Sequence, residues 1–282
     1  MAEKMTETMT GEQHPTRFLG RPGGRIAYDL AGAGPLVVCI PGMGDLRSSY
    51  RFLAPALVAA GYRVATMDLR GHGDSDATFA EYNDVAAGSD VVALLAELGD
   101  GPAVLIGNSM GAGAAAWAAA EAPDRVAALV LVGPFVRNPP GGRAAALLFR
   151  LALLRPWGAA AWNAWYARLF PGRAPSDLAA HRALIRASLR RPGRWQAFAA
   201  TTHTSHAPVE ARLGEVAART LIVMGDHDPD FADPRAEAAF IAGRLPAAVV
   251  MVPGAGHYPH AEYPEIVTPA ILGFLGNGTN HA

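Results

Sequence analysis

Apolar residues follow two alternating rhythms along this chain. Short, almost wholly apolar runs stand at residues 36–40 (LVVCI), 103–106 (AVLI), 126–132 (VAALVLV), 220–224 (TLIVM) and 248–252 (AVVMV). These read as strands, and the run 36–40 suits a strand buried on both faces of a sheet. Residues 25–30 and 63–67 read as two further strands, with a Gly-rich turn at 31–35. Between these runs, residues 51–60, 85–98, 110–120, 235–242 and 265–275 suit helices, the first of them closed by Gly61. Strands alternating with helices need crossover connections, so the sheet is expected to be mostly parallel.

The rhythm breaks after Gly133 and Pro134. From 135 to 207 strand-like runs give way to Ala, Leu, Arg and large aromatic residues, among them Phe149, Trp157, Trp162, Trp165, Tyr166, Phe170, Trp195 and Phe198. We read this as a helical cap inserted within one sheet domain made of residues 16–134 and 208–282. Residues 1–15 are polar and aperiodic, and a mobile tail is expected there.

Composition narrows the class. Hydrophobic residues make up 51% and charged residues 17%, enough apolar material for a large core. Lys and Arg number 24 against 25 Asp and Glu, so no broad positive field draws in nucleic acid or an acidic membrane. Nucleic acid is therefore not an expected partner. Cys39 is the single cysteine, which excludes an intramolecular disulfide and a metal site built on cysteine pairs. Its neighbours Leu36, Val37, Val38 and Ile40 make it a buried strand residue rather than a reactive thiol.

Glu3, Lys4, Glu7 and Glu12 leave no apolar run near the start, so a cytoplasmic location is the default expectation. The uncharged stretch 101–120 is long enough to span a bilayer, but Gly101, Pro102, Gly107, Asn108, Gly111 and Gly113 interrupt it. It reads as strand, turn and helix, with no integral membrane association.

Residues 107–111 spell G-x-S-x-G between the apolar run AVLI and an Ala-rich helix. A sharp strand-to-helix turn strains its central residue, needs small neighbours, and lifts the hydroxyl clear of the sheet. The helix opening at Met110 adds unpaired amides and a positive dipole end beside any anion that forms. The alternative is a Gly-rich turn with an incidental serine. A serine nucleophile requires a base, and the base requires a carboxylate to fix its tautomer. Asp228 follows the strand LIVM, and His257 follows the strand VVMV through Gly254, Ala255 and Gly256.

The strand pattern, the elbow, an acid loop, a histidine loop and a mid-chain insertion together resemble the α/β-hydrolase fold superfamily over residues 18–275, in the chain order Ser, Asp, His. The resemblance implies an α/β fold: a mostly parallel, eight-stranded, doubly wound sheet with a helical cap inserted after the sixth strand. It implies Ser109, Asp228 and His257 as catalytic residues. Its G-x-x-D spacing selects Asp228 over Asp226 and Asp230, and its glycine turn selects His257 over His227 and His260. The loop Ile40, Pro41, Gly42, Met43, Gly44 resembles the family's loop after the third strand, so the amides of Met43 and Met110 are expected to form the oxyanion hole. That loop usually reads His-Gly; Pro41 removes a bracing side chain and keeps the backbone donor. His72, in Arg70-Gly71-His72-Gly73-Asp74-Ser75, falls in a segment similar to the family's D-x-R-G-x-G-x-S loop and is expected to hold a turn.

Ser109 at the elbow argues against the alkylating chemistry of dehalogenase and epoxide hydrolase members, whose nucleophile is Asp. The leading expectation is a serine hydrolase cleaving a carboxylic ester or related acyl bond of a largely apolar small molecule, with no cofactor and no metal. His203 and His206 form too sparse a pair for a metal site. Asn108 keeps open a carbon-carbon bond hydrolase of the ring-fission-product type, and the fold also admits a slow-turnover small-molecule receptor. Residues 147–154 are apolar enough to form a pocket wall, a homodimer contact or a membrane-surface helix. An ordinary imidazole at His257 implies activity rising near pH 6 to 7.

Overall fold

The central apolar runs become strands because their alternate side chains have two different cores to enter. In β3 (Leu36–Ile40), Leu36, Val38 and Ile40 face one core while Val37 and Cys39 face the other. The same division repeats in β5 (Ala103–Asn108), β6 (Val126–Val132) and β7 (Arg219–Gly225), where Leu105, Leu129 and Ile222 lie opposite Ile106, Val130 and Val223. Together with β1 (Arg17–Arg21), β2 (Gly24–Ala31), β4 (Arg63–Met67) and β8 (Ala247–Val252), these strands form one eight-stranded sheet in the order β1-β2-β4-β3-β5-β6-β7-β8. The pairs β1/β2 and β2/β4 are antiparallel, and every other pair is parallel. The computed structural model describes residues 15–99, 101–139 and 143–276. The expected mobile tail therefore lies, Pro15 apart, outside the described residues.

Helices cover both faces. They are α1 (Leu53–Ala59), α2 (Asp84–Leu98), α3 (Met110–Glu121), α4 (Arg143–Ala152), α5 (Gly158–Arg168), α6 (Leu178–Arg190), α7 (Arg194–Thr201), α8 (Ala207–Glu210), α9 (Pro234–Ala242), α10 (Pro259–Glu262) and α11 (Pro264–Gly276). α2, α3 and α9 supply Leu94, Ala115 and Ile241 to the first core; α1 and α11 supply Leu57 and Ile271 to the second. Two-sided cover is what lets the central strands dispense with polar positions. None of the described helices is long and apolar enough to cross a membrane.

One strand escaped the sequence reading, and one apolar segment divides in its burial. β1 has only Leu19 buried among its five residues, so it carries almost no periodic signal and exists because β2 pairs with it along an edge. Residues 147–154 divide: Leu147, Leu148, Leu151 and Leu154 are exposed while Leu153 is buried. The segment from α4 to α8, which lies between β6 and β7 in sequence, has its own apolar cluster. Trp162, Tyr166, Trp195 and Phe198 there interlock with Met43 and Tyr258 of the sheet domain.

α3 sits unusually close to the strand ends because its inner residues are Gly and Ala. A Cβ on Gly111 would stand 2.3 Å from the Ile40 carbonyl oxygen and 2.4 Å from that of Pro41. Helix propensity alone favours Gly111→Ala by about 1 kcal/mol. The backbone clash opposes it and cannot be relieved by a rotamer change. Gly111→Ala is therefore expected to lower stability by about 1–3 kcal/mol, read as an earlier urea midpoint. A midpoint equal to or above the parent's would mean that β3 and α3 separate at no cost.

Candidate active site

Ser109 is the one non-glycine residue with positive φ among the described residues, at φ 55° and ψ −125°. Such a backbone costs about 1–3 kcal/mol and persists only where the surroundings enforce it. Glycines provide the enforcement. A Cβ on Gly107 would lie 2.3 Å from the Gly111 carbonyl oxygen, and one on Gly42 would lie 2.9 Å from the Ser109 Cβ. The turn is pinned from outside by the Ser109 amide donating to the Val132 carbonyl at 2.9 Å. Asn108 is fully buried at the same corner, and its Nδ2 donates to the carbonyls of Val132 and His257, both at 3.1 Å. One side chain thus joins the elbow to the histidine loop.

That loop is shaped by close backbone packing. A Cβ on Gly225 would meet the Gly256 and Ala255 carbonyls at 2.1 and 2.3 Å, which explains the glycine that opens the acid loop. Asp226 accepts from the Gly254 amide at 2.6 Å, and the His257 amide donates to the Leu169 carbonyl at 2.9 Å. Asp228 is buried, and His257 Nδ1 bonds its Oδ2 at 2.7 Å. Of the three aspartates weighed in this loop, Asp228 therefore holds the imidazole while Asp226 holds the turn. Asp230 takes a third position: its Oδ2 stands 3.7 Å from the opposite ring nitrogen, Nε2. His227 is exposed, and His260 is buried against Tyr50 with ring centroids 5.1 Å apart, not at a pocket mouth. Burial holds His260 well below the usual imidazole value, at about 3, so it is a neutral core residue.

Ser109 and His257 border one cavity of about 320 Å³, together with Met43, Met110, Asp230 and the aromatic rings of Phe135, Trp162 and Trp165. Ser109 Oγ makes no hydrogen bond to His257 in this structure, so the contact expected from the sequence is not formed here. The Met110 amide opens α3 and is one of that helix's unpaired donors. The loop carrying Met43 is braced in a way the sequence did not reveal. The Gly44 amide donates to His72 Nε2 at 2.9 Å, while His72 Nδ1 bonds the Arg70 carbonyl at 2.8 Å. Burial lowers the His72 value to about 4, so the ring stays neutral and keeps an acceptor for that amide. His72 therefore supplies bracing that Pro41 cannot. Next to it, Asp45 is wholly buried, receives Tyr166 Oη–H at 2.8 Å and bonds His181 Nε2 at 2.7 Å. The loop is thereby tied to α5 and α6.

Sequence reasoning passed over Asp45, His181 and the brace from His72, since nothing in local pattern connects residues so far apart. His206 also borders the cavity, with its Nδ1 bonded to the buried Asp84. His203 does not join it. Asp228, Asp230 and His257 are close enough to one another to suggest a cation site. Asp228 already takes His257 Nδ1 and the Asp230 amide, the latter at 3.0 Å, so the cluster satisfies itself internally.

Burial alone would lower the His257 value, but the Asp228 carboxylate and then Asp230 outweigh it and raise the ring to about 9. An imidazole accepts a proton only when neutral, so its capacity as a base is expected to rise with pH through that midpoint, above the pH 6 to 7 that an ordinary histidine implies. NMR titration of the His257 ring is expected to find a midpoint near pH 9, and Asp228→Asn to bring it down. A parent midpoint at or below 6.5 would show that neither carboxylate acts on the ring.

Comparison with known proteins adds a family. Residues 35–264 match the model of the alpha/beta hydrolase fold. Over 287 aligned residues the chain is 29% identical to a 2-hydroxy-6-oxo-6-phenylhexa-2,4-dienoate hydrolase of Burkholderia cepacia, covering 98% of this chain and 99% of that protein. Among solved structures, a hydrolase from Pseudomonas aeruginosa PA01 superposes with a TM-score of 0.79 at 28% identity, over 93% of this chain and 98% of the other. A thermophilic esterase from Thermogutta terrifontis gives 0.75 at 25% identity, over 94% and 99%. With the sheet order, the strained serine turn and these matches in hand, the chain belongs to the alpha/beta hydrolase fold family.

Proposed function

We propose that this hydrolase is a serine hydrolase that cleaves a carboxylic ester, or a related acyl bond, of a largely apolar small molecule. One observation carries the reading: a serine on a strained turn and a histidine already bonded to a buried aspartate open onto one cavity walled mainly by apolar and aromatic side chains. The chemistry follows from the parts. Ser109 turns to another staggered rotamer and gives its proton to His257 Nε2 as Oγ attacks the carbonyl carbon. The oxygen that becomes negative is held by the amides of Met43 and Met110. His257, now cationic and steadied by Asp228, protonates the leaving alcohol, and a water deprotonated by the same ring releases the acid. The likeness to an esterase at full length is consistent with this reading.

The second reading, hydrolysis of a carbon-carbon bond in a ring-fission product, is favoured by the match to the dienoate hydrolase over nearly the whole chain. Such a substrate carries a carboxylate. No arginine or lysine is among the described residues lining the cavity, which leaves that carboxylate without a guanidinium or ammonium to pair with. We therefore rank acyl-bond cleavage first.

The test joins labelling with turnover. A fluorophosphonate is expected to modify Ser109 alone, located by peptide mass mapping, and Ser109→Ala is expected to lower kcat on aryl esters by about 10³–10⁶-fold with the fold intact. Parent-like turnover in Ser109→Ala would refute the nucleophile. A vinylogous diketo acid hydrolysed faster than every aryl ester would favour the second reading instead.

A further inference from the structure

The cavity has one feature that the acyl-transfer scheme leaves unused. Asp230 lines it, with its side chain 18% exposed, and faces His257 Nε2 from the side opposite Asp228. Its place is fixed. Its own amide donates to Asp228 Oδ1 at 3.0 Å, and the Trp165 indole faces the carboxylate and favours its charged form. The imidazole thus stands between two carboxylates and carries at most one positive charge. The group of Asp228, His257 and Asp230 bears a net negative charge when the ring is protonated, and a larger one in the neutral state that a base requires. The described lining also holds His206, whose Nδ1 bonds the buried Asp84, and Tyr258, whose phenol burial keeps neutral.

We propose that Asp230 sets the charge preference of the cavity, so that substrates with a neutral or cationic group beside the scissile bond are accepted and those with an anionic group there are rejected. The proposal rests on the serine-hydrolase reading for its substrates, though the preference itself is a property of the cavity. Two unit charges about 6 Å apart at an effective dielectric near 20 repel strongly enough to weaken binding roughly ten- to hundredfold. A quaternary ammonium gains from the same field and also from the faces of Trp162 and Trp165. Burial raises the Asp230 carboxyl to about 6, against the pull of His257, so it remains mostly ionised at neutral pH.

The experiment compares phenyl esters of one acid that differ at a single ring position: tert-butyl, trimethylammonium or carboxylate. At pH 7.5, about one and a half units above the Asp230 value, kcat/KM is expected to be lower for the carboxylate ester than for the tert-butyl ester by about tenfold or more, with the trimethylammonium ester at least equal to the neutral one. Asp230→Asn and Asp230→Ser, each verified as folded by fluorophosphonate labelling, are expected to bring the carboxylate and tert-butyl esters within about threefold of each other, chiefly through KM. Equal rates for all three esters in the parent would overturn the proposal. So would a carboxylate penalty that survives both substitutions. Calorimetry of the same three compounds with Ser109→Ala reads the preference without turnover. Binding in the expected order with no turnover by the parent would sustain the charge preference while refuting the serine-hydrolase reading.

Discussion

Backbone meets backbone without side chains between them where β5 hands over to α3, and the site is organised around that contact. Ser109 holds a conformation that a residue with a Cβ avoids, and it does so because Gly107, Gly111 and Gly42 leave no room for the turn to relax. The energy that holds this strain comes from elsewhere, from two apolar cores packed on opposite faces of the same strands. The sheet is thus a support for one unfavourable residue. Asn108 carries the constraint across to β6 and to the histidine loop, so serine and imidazole are positioned relative to a common corner rather than separately.

A second constraint governs the loop that carries Met43. The role proposed for the Met43 amide requires that amide to stay unspent and aimed. Here the next residue's amide is taken by a neutral His72, the Gly44 carbonyl accepts the Trp162 indole at 3.4 Å, and Asp45 is gripped by Tyr166 and His181. Burial would raise the Asp45 carboxyl, but the His181 charge and hydrogen bonds from His181, the Leu46 amide and Tyr166 hold it below the usual range. The segment between β6 and β7 therefore does more than cover the cavity. Its rings and its buried histidine are built into the loop they cover, so movement of that segment would be felt at Met43.

Legibility varied with the kind of signal. β3, β5, β6 and β7 were readable because two-sided burial leaves an unmistakable apolar run, and the elbow was readable because glycine spacing reports a steric need directly. β1 was not, since one buried leucine among exposed neighbours cannot declare a strand that exists only by pairing with β2. Met43 was singled out by the likeness of its loop, but the brace from His72 to the neighbouring Gly44 amide was not, because one hydrogen bond and no local pattern joins those segments. Asp230 stood in plain sight as a competitor for Asp228; its position on the far side of the ring appears only once the loop is folded.

By itself, the order of residues determined the central strands and the helices between them, where the serine turn must fall, and that an aspartate and a histidine follow later strands. Those are local matters, set by side-chain periodicity and by the room a Cβ needs. Only the tertiary structure decided which nitrogen of His257 meets which carboxylate, that Ser109 makes no hydrogen bond to the ring, and that the Asp230 carboxylate faces the cavity beside it. Distances between loops are fixed by strand register and by how closely backbones approach, and neither quantity is written in any one stretch of the chain.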